Sequence, residues 1–189
     1  MKKGKIFVVS APSGAGKTTI VRCILKMFPE IVFSVSATTR KKRPAETHGV
    51  DYFFLSEEEF LKKIEKREFL EWEKFYDYYY GTLKSFVDEV TESGRSILLE
   101  LDVKGALSIK SIYPDSKLIY IMPPSLEVLK QRLLDRNTET DEDLRKRIDR
   151  AEMELKLSDQ FDYQVVNDVL EDAVEKVKKI IEINIEENS

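Results

Sequence analysis

Ala11-Pro12-Ser13-Gly14-Ala15-Gly16-Lys17-Thr18 follows the apolar run Ile6–Val9 almost without a break and leads directly into Thr19, Ile20 and Val21. The stretch fits the pattern G-x-x-x-x-G-K-[ST] at every fixed position but the first, where Ala11 stands. That pattern has a physical basis. Gly14 and Gly16 let the backbone turn tightly, so that successive N–H groups aim inward at phosphate oxygens. A helix beginning at Lys17 adds the positive end of its dipole. In such a cradle Lys17 reaches the β and γ phosphates of a nucleoside triphosphate, and the Thr18 hydroxyl sits on a Mg²⁺ ion. Ala11 gives up some backbone freedom but is small enough for close packing.

The rest of the chain reads as the scaffold such a loop needs. Ile6–Ser10, Val32–Ser36, Ile97–Leu101, Leu118–Met122 and Tyr163–Val166 are short apolar runs without strict alternation, as expected of buried parallel strands. Helical patterns separate most of them, which predicts a doubly wound α/β sheet. The first helix spans about 17–28 and stops at Pro29, and the last spans about 172–185 with Val174, Val177, Ile181 and Ile185 on one face. The third strand ends in Glu100-Leu101-Asp102, placing carboxylates beside the phosphate loop. With Thr18, Glu100 and Asp102 are the candidate oxygen ligands of the metal.

Composition narrows the class. The 189 residues carry a net charge of −4, which disfavours nucleic acid as a partner and makes any basic site local. The lack of a long apolar run excludes a membrane-spanning helix, and Ile6–Val9 is too short for a signal-peptide core, so a cytoplasmic protein is expected. The single cysteine, Cys23, excludes an intrachain disulfide and a cysteine-rich metal site.

Two segments interrupt the alternation. Residues 37–86 hold a capping box, Ser56 to Glu59, among aromatic runs that include Tyr52-Phe53-Phe54 and Tyr78-Tyr79-Tyr80. They read as a small mixed lobe between the second and third strands. Residues 126–157 read as two polar, arginine-rich helices broken near Asn137-Thr138, forming a mobile flap, the second helix capped by Thr140. Core segments are then 1–36, 87–125 and 158–189. A phosphate loop alone fits an ATPase, a GTPase switch or a kinase. Within the lobe, Arg40 and Arg43 lie on a loop kept out of helix by Pro44, and their planar forks suit phosphate oxygens. A solvated basic loop is the alternative.

SAPSGAGKTT, SVSATTRKKRP, HGVDYFFLS, EFLEWEKF, YYGT, ILLELDVKGA, LLDRNTET and VVND, in this order and spacing, resemble the guanylate kinase family over nearly the whole chain. The resemblance implies an α/β fold with a phosphate-loop NTPase-type parallel sheet flanked by helices, an inserted mixed GMP-binding lobe and a helical lid. It implies transfer of the γ-phosphoryl group of ATP to GMP, and to dGMP, with Mg²⁺, in purine nucleotide recycling, by a monomer or homodimer.

Carried over by position, Ala11 to Thr19 and Asn167 match the ATP site. Arg40, Arg43, Tyr52 and Tyr80 match the residues that hold the acceptor monophosphate, and Ser36, Glu71, Thr82 and Asp102 those around guanine. Lys17, Arg40, Arg132, Arg136 and Arg147 match the cations of the transfer step. An ionised Glu71 suits guanine, because a carboxylate accepts from both N1–H and the 2-amino group, which adenine does not offer. Departures from the family pattern are Ala11, Ala45 and Asn137, each where a glycine is usual, and none removes a reacting group. The attacking atom is a phosphate oxygen, whose second pKa near ~6 makes a general base unnecessary. His48, the only histidine, is thus expected to be a loop residue without a catalytic role. Two alternatives stay open: a related kinase with another acceptor, and an inactive protein-binding module of this family.

Overall fold

The computed structural model describes residues 3–75, 77–134 and 141–186. Its centre is β1 (Ile6–Ser10), every residue of which is buried. The phosphate loop follows, then α1 (Lys17–Met27) and the short β2 (Val32–Phe33). A second group comprises β3 (Ala37–Thr38), β4 (Phe53–Phe54), α2 (Glu57–Glu65), β5 (Phe69–Phe75) and β6 (Tyr78–Leu83). After α3 (Lys84–Glu92), β7 (Ile97–Glu100), α4 (Val103–Ile112) and β8 (Lys117–Met122) come α5 (Leu126–Leu134) and α6 (Asp141–Leu155), then β9 (Tyr163–Val166) and α7 (Leu170–Glu186).

The main sheet runs β2-β7-β1-β8-β9 and all its pairs are parallel. Alternate residues of β1 feed two cores. Phe7 and Val9 pack with α1 and α7 through Ile20, Ile24, Val177 and Ile181. Ile6 and Val8 pack on the other side with Val87 and Val90 of α3 and Val103, Ala106 and Ile109 of α4. Helices cover both faces, which is why these strands read as continuous apolar runs. Cys23 is half-buried against the first core. The chain reverses its direction of travel across the sheet at β1. The crevice beyond the carboxyl ends of β1 and β7 is where such sheets bind ligands.

The run Val32–Ser36 forms a strand of only two residues. Ser34 N still donates to Leu98 O (2.9 Å), but the Ser36 carbonyl already accepts from Phe53 N (2.9 Å). The backbone therefore changes sheets within this run. The second sheet, β4-β3-β6-β5, is mixed: β3 and β4 are parallel, while β3–β6 and β5–β6 are antiparallel. Its helix α2 starts with the expected capping box, Ser56 and Glu59 bonding each other's backbone. Phe60 is fully buried and stacks on Phe69 and Tyr79 with ring centroids 4.2 and 5.4 Å away.

α5 and α6 share a small apolar cluster of Leu129, Leu133 and Ala151. The expected helix break at Asn137-Thr138, the Thr140 cap and the candidate cation Arg136 lie outside the described residues.

Candidate active site

Gly14 and Gly16 carry the positive φ values of the phosphate loop, 91° and 92°. Gly16 is also the left-handed N-cap of α1. Ala11 is buried with no positive φ, so the irregular first position carries no left-handed strain. A Cβ at Gly16 would lie 2.4 Å from Asn167 Nδ2, the amide that donates to Ala15 O at 2.7 Å. Asn167, expected near the donor base, thus braces the loop from β9's end. Gly16→Ala combines left-handed strain of about 1–3 kcal/mol with loss of that brace. We expect it to lower ATP-dependent turnover by about 100-fold, since misplacing reacting groups by about 1 Å costs that much. A coupled ADP-release assay alongside a thermal melt checks it.

Lys17 Nζ donates to Leu101 O at 2.8 Å. Burial lowers its pKa, while Glu100 and Asp102 push it back up. Thr18 Oγ1 donates to Glu100 Oε1 at 2.5 Å, which joins the loop to the end of β7. Arg147 and Arg150 of α6 line the cavity over the loop. Arg132 of α5 donates to Asn167 O (3.1 Å).

A second cavity of about 670 Å³ shares Lys17, Thr18 and Asp102 with the first. Five residues expected around the acceptor line it: Ser36, Tyr52, Glu71, Tyr80 and Asp102. Of the other three, Arg40 and Arg43 stand outside its lining, and Thr82 is buried on β6 and donates to Glu71 Oε1 at 2.6 Å. Burial pushes the Glu71 carboxyl up to about 7, the Thr82 bond pulls it down, and Asp102 and Glu73 push it up again. Ser34, also lining this cavity, has a buried hydroxyl without a hydrogen-bond partner among the described residues. Its proximity was invisible in the sequence, where it reads as part of a buried strand.

Arg40 is held in one plane. Its guanidinium lies over Tyr52 (5.3 Å) and Phe54 (5.8 Å), and its terminal nitrogens bond both oxygens of Glu46 at 3.0 and 2.6 Å. Nη1 also donates to Lys41 O. Three of five N–H groups are thus engaged, all by way of Nη1 and Nη2. The Nε–H and the adjacent Nη2–H form the second fork, which matches two oxygens of a phosphate. Glu46 in turn accepts from Arg43 N (2.8 Å), fixing the loop that carries both arginines. Pairing with Arg40 holds the Glu46 carboxyl below the usual range. Glu46→Ala should raise the KM for an acceptor monophosphate about tenfold by loosening Arg40, with the KM for ATP unchanged. Initial rates with each substrate varied in turn test this.

The oxygen donors at Thr18 and Glu100 suit a hard cation such as Mg²⁺, which keeps several waters and is held largely through substrate phosphates. Among the described residues no cluster of three or more His, Cys, Asp or Glu side chains could hold a metal by itself. Asp102, the third expected ligand, has its oxygens on Gly105 N (2.8 Å) and Arg150 (3.0 Å). His48 accepts from Phe54 N through Nδ1 (3.2 Å) and packs on Phe53, a loop-bracing position.

The sequence model described as "Guanylate kinase" matches residues 3–184. The chain belongs to the guanylate kinase family. It is accordingly a phosphate-loop kinase. The guanylate kinase of Thermotoga maritima is 51% identical over 179 residues, covering 95% of this chain and 86% of that protein. That of Chlorobium luteolum is 49% identical over 175 residues, 92% and 89% of the two chains. A crystal structure of guanylate kinase from Anaplasma phagocytophilum superposes with a TM-score of 0.74 at 30% identity, covering 96% of this chain and 86% of that one. Shikimate kinase from Bacteroides thetaiotaomicron (TM-score 0.50, 14% identity) shares the fold alone. No helix among the described residues of this guanylate kinase family member is long and apolar enough to cross a membrane. Sequence reading missed Glu46 and Arg150. Each bonds an expected site residue, Arg40 or Asp102, and only the folded chain brings the pair within reach.

Proposed function

We propose that the protein transfers the γ-phosphoryl group of ATP to GMP, and to dGMP, giving ADP and GDP or dGDP. One observation carries the reading. The phosphate-loop cavity and the cavity around Glu71 meet at Lys17, Thr18 and Asp102, so two nucleotides bound there would face each other across one lysine. In this reading 37–86 is the acceptor lobe, 126–157 the lid and the remainder the core.

A phosphate oxygen of GMP attacks the γ-phosphorus as the bond to the β,γ-bridging oxygen breaks, and the electron pair leaves on ADP. That oxygen is already ionised near neutral pH, so no side chain has to take its proton. The barrier is the approach of two polyanions, and the work falls to positioned cations. Lys17 and the arginines Arg132, Arg136 and Arg147 serve the donor, and Arg40 and Arg43 the acceptor. Mg²⁺, held through Thr18 and Glu100, would neutralise charge between the β and γ phosphates. Tyr52 and Tyr80, 6.3 Å apart by ring centroid, stand where the acceptor phosphate enters. Glu71 and Thr82 take the guanine edge, with Ser36 and Asp102 beside it. Asn167 keeps the loop shaped for ATP.

The test is ADP release with a panel of GMP, dGMP, AMP, UMP and shikimate as acceptors. Turnover with GMP and dGMP and a low background with the others is expected. Equal turnover with AMP would overturn the assignment of the acceptor.

A further inference from the structure

Arg150 lies on α6, three residues after Arg147, so the two side chains share one helix face. Both line the cavity over the phosphate loop. The family resemblance assigns Arg147 to the lid cations and gives Arg150 no part. Yet Arg150 ties α6 to the core by an ion pair. Its Nη2 donates to Asp102 Oδ2 at 3.0 Å, and its Nε donates to Glu154 Oε1 at 2.8 Å, one turn along its own helix. The guanidinium therefore spans two carboxylates, one on the lid and one on the core.

Asp102 is a fixed point. It is the N-cap of α4, and its other oxygen accepts from Gly105 N at 2.8 Å. It stands directly after β7, between the two nucleotide cavities. The apolar contacts of α6 lie toward α5, through Ile148 and Ala151, and at its far end, where Leu155 packs on the core. Lys130 and Glu152, 3.6 Å apart, join α5 to α6 but not α6 to the core. The Arg150–Asp102 pair thus adds a polar anchor to the core beside Arg147, ahead of the apolar anchor at Leu155, and bears on where Arg147 points.

We propose that Arg150 is a positioning residue: it seats α6 on Asp102 and so holds Arg147 over the phosphate loop. The inference rests on the phosphoryl transfer proposed above. The Arg150–Asp102 pair is half-exposed, with side-chain exposures of 51% and 26%, so its contribution to folding is small and its effect should fall on turnover.

The test is a double-substitution cycle on the full chain: Arg150→Ala, Arg147→Ala and both together, read as kcat at saturating ATP and GMP. Arg150→Ala should lower kcat about 5- to 10-fold with an unchanged melting temperature, a displacement penalty well short of the ~100-fold for a 1 Å error. In the Arg147→Ala background the same change should cost less than about twofold, because the group it positions is gone. Arg150→Lys should fall between, since an ammonium keeps the Asp102 pair but loses the fork. An equal loss in both backgrounds would mean that Arg150 acts by itself, on phosphate or on folding, and would overturn the proposal. So would full activity in Arg150→Ala. If the unsubstituted protein formed no GDP from GMP, the function proposed above would fall. The cycle would then be read on affinity for a non-hydrolysable ATP analogue, where loss persisting without Arg147 again overturns the role of Arg150.

Discussion

Lys17→Ala is expected to lower kcat for GMP-dependent ADP formation by about 1,000-fold, the scale of losing one preorganised charge contact to a transition state. The reason lies in where the ammonium sits. Burial works against its charge, while Glu100 and Asp102 support it, and its one observed bond is to the Leu101 carbonyl at 2.8 Å. That bond costs little to exchange for a phosphate oxygen, because a neutral acceptor is replaced by an anionic one. Lys17 is also the side chain that both nucleotide cavities share with Thr18 and Asp102. Its removal strips charge from donor and acceptor together. Lys17→Arg should not rescue, since a planar fork cannot occupy the space of a point charge held against a backbone carbonyl. Single-turnover rates with saturating ATP and GMP measure the effect apart from product release. A kcat within tenfold of the parent would remove Lys17 from the transfer step.

Local chemistry explains which parts of this molecule could be read from its sequence. The phosphate loop, α1 and the Ser56–Glu59 capping box are determined within a few residues, and the fold builds them as expected. The central strands β1, β7 and β8 were visible because burial on both faces leaves no polar alternation, whereas the edge strands β2 and β9 expose Phe33 and Val166. The end of β2 was not visible, since nothing in Phe33-Ser34-Val35-Ser36 marks where the backbone leaves one sheet for another. The parallel pair β3–β4 is two residues long, too short to carry a period. Ala11 stood out as the irregular loop position, yet the left-handed strain falls on Gly14 and Gly16. Site residues that would touch substrate follow a family pattern. Residues that hold them, Glu46 on Arg40 and Arg150 on Asp102, are contacts across a loop or across 48 positions of chain.

Glu71→Gln should raise the KM for GMP by about 100-fold or more and erase a comparable part of the discrimination against AMP, as when a buried polar group loses its matched partner. An amide offers one acceptor and one donor group where guanine presents two adjacent donors. The carboxyl, raised to about 7 by burial, also makes acceptor binding pH-dependent. Near neutrality about half of the free protein carries a protonated Glu71, which cannot accept both bonds. Guanine selects the ionised form, so below about pH 7 each GMP bound expels a proton. The KM for GMP should therefore fall as pH rises from about 6 and level off near 8, while the phosphate's own ionisation near ~6 adds a steeper limb below. Glu71→Gln keeps the phosphate limb and loses the other. Stability runs the opposite way. The folded-state value lies above the ordinary 4.5, so the folded chain binds the extra proton and this group's contribution declines from about pH 4.5 to about 7. Above that range the glutamine variant should gain thermal stability relative to the parent, even as it loses GMP. A KM for GMP that is equally flat from about pH 6.5 to 8 in parent and variant would show that Glu71 does not read the base.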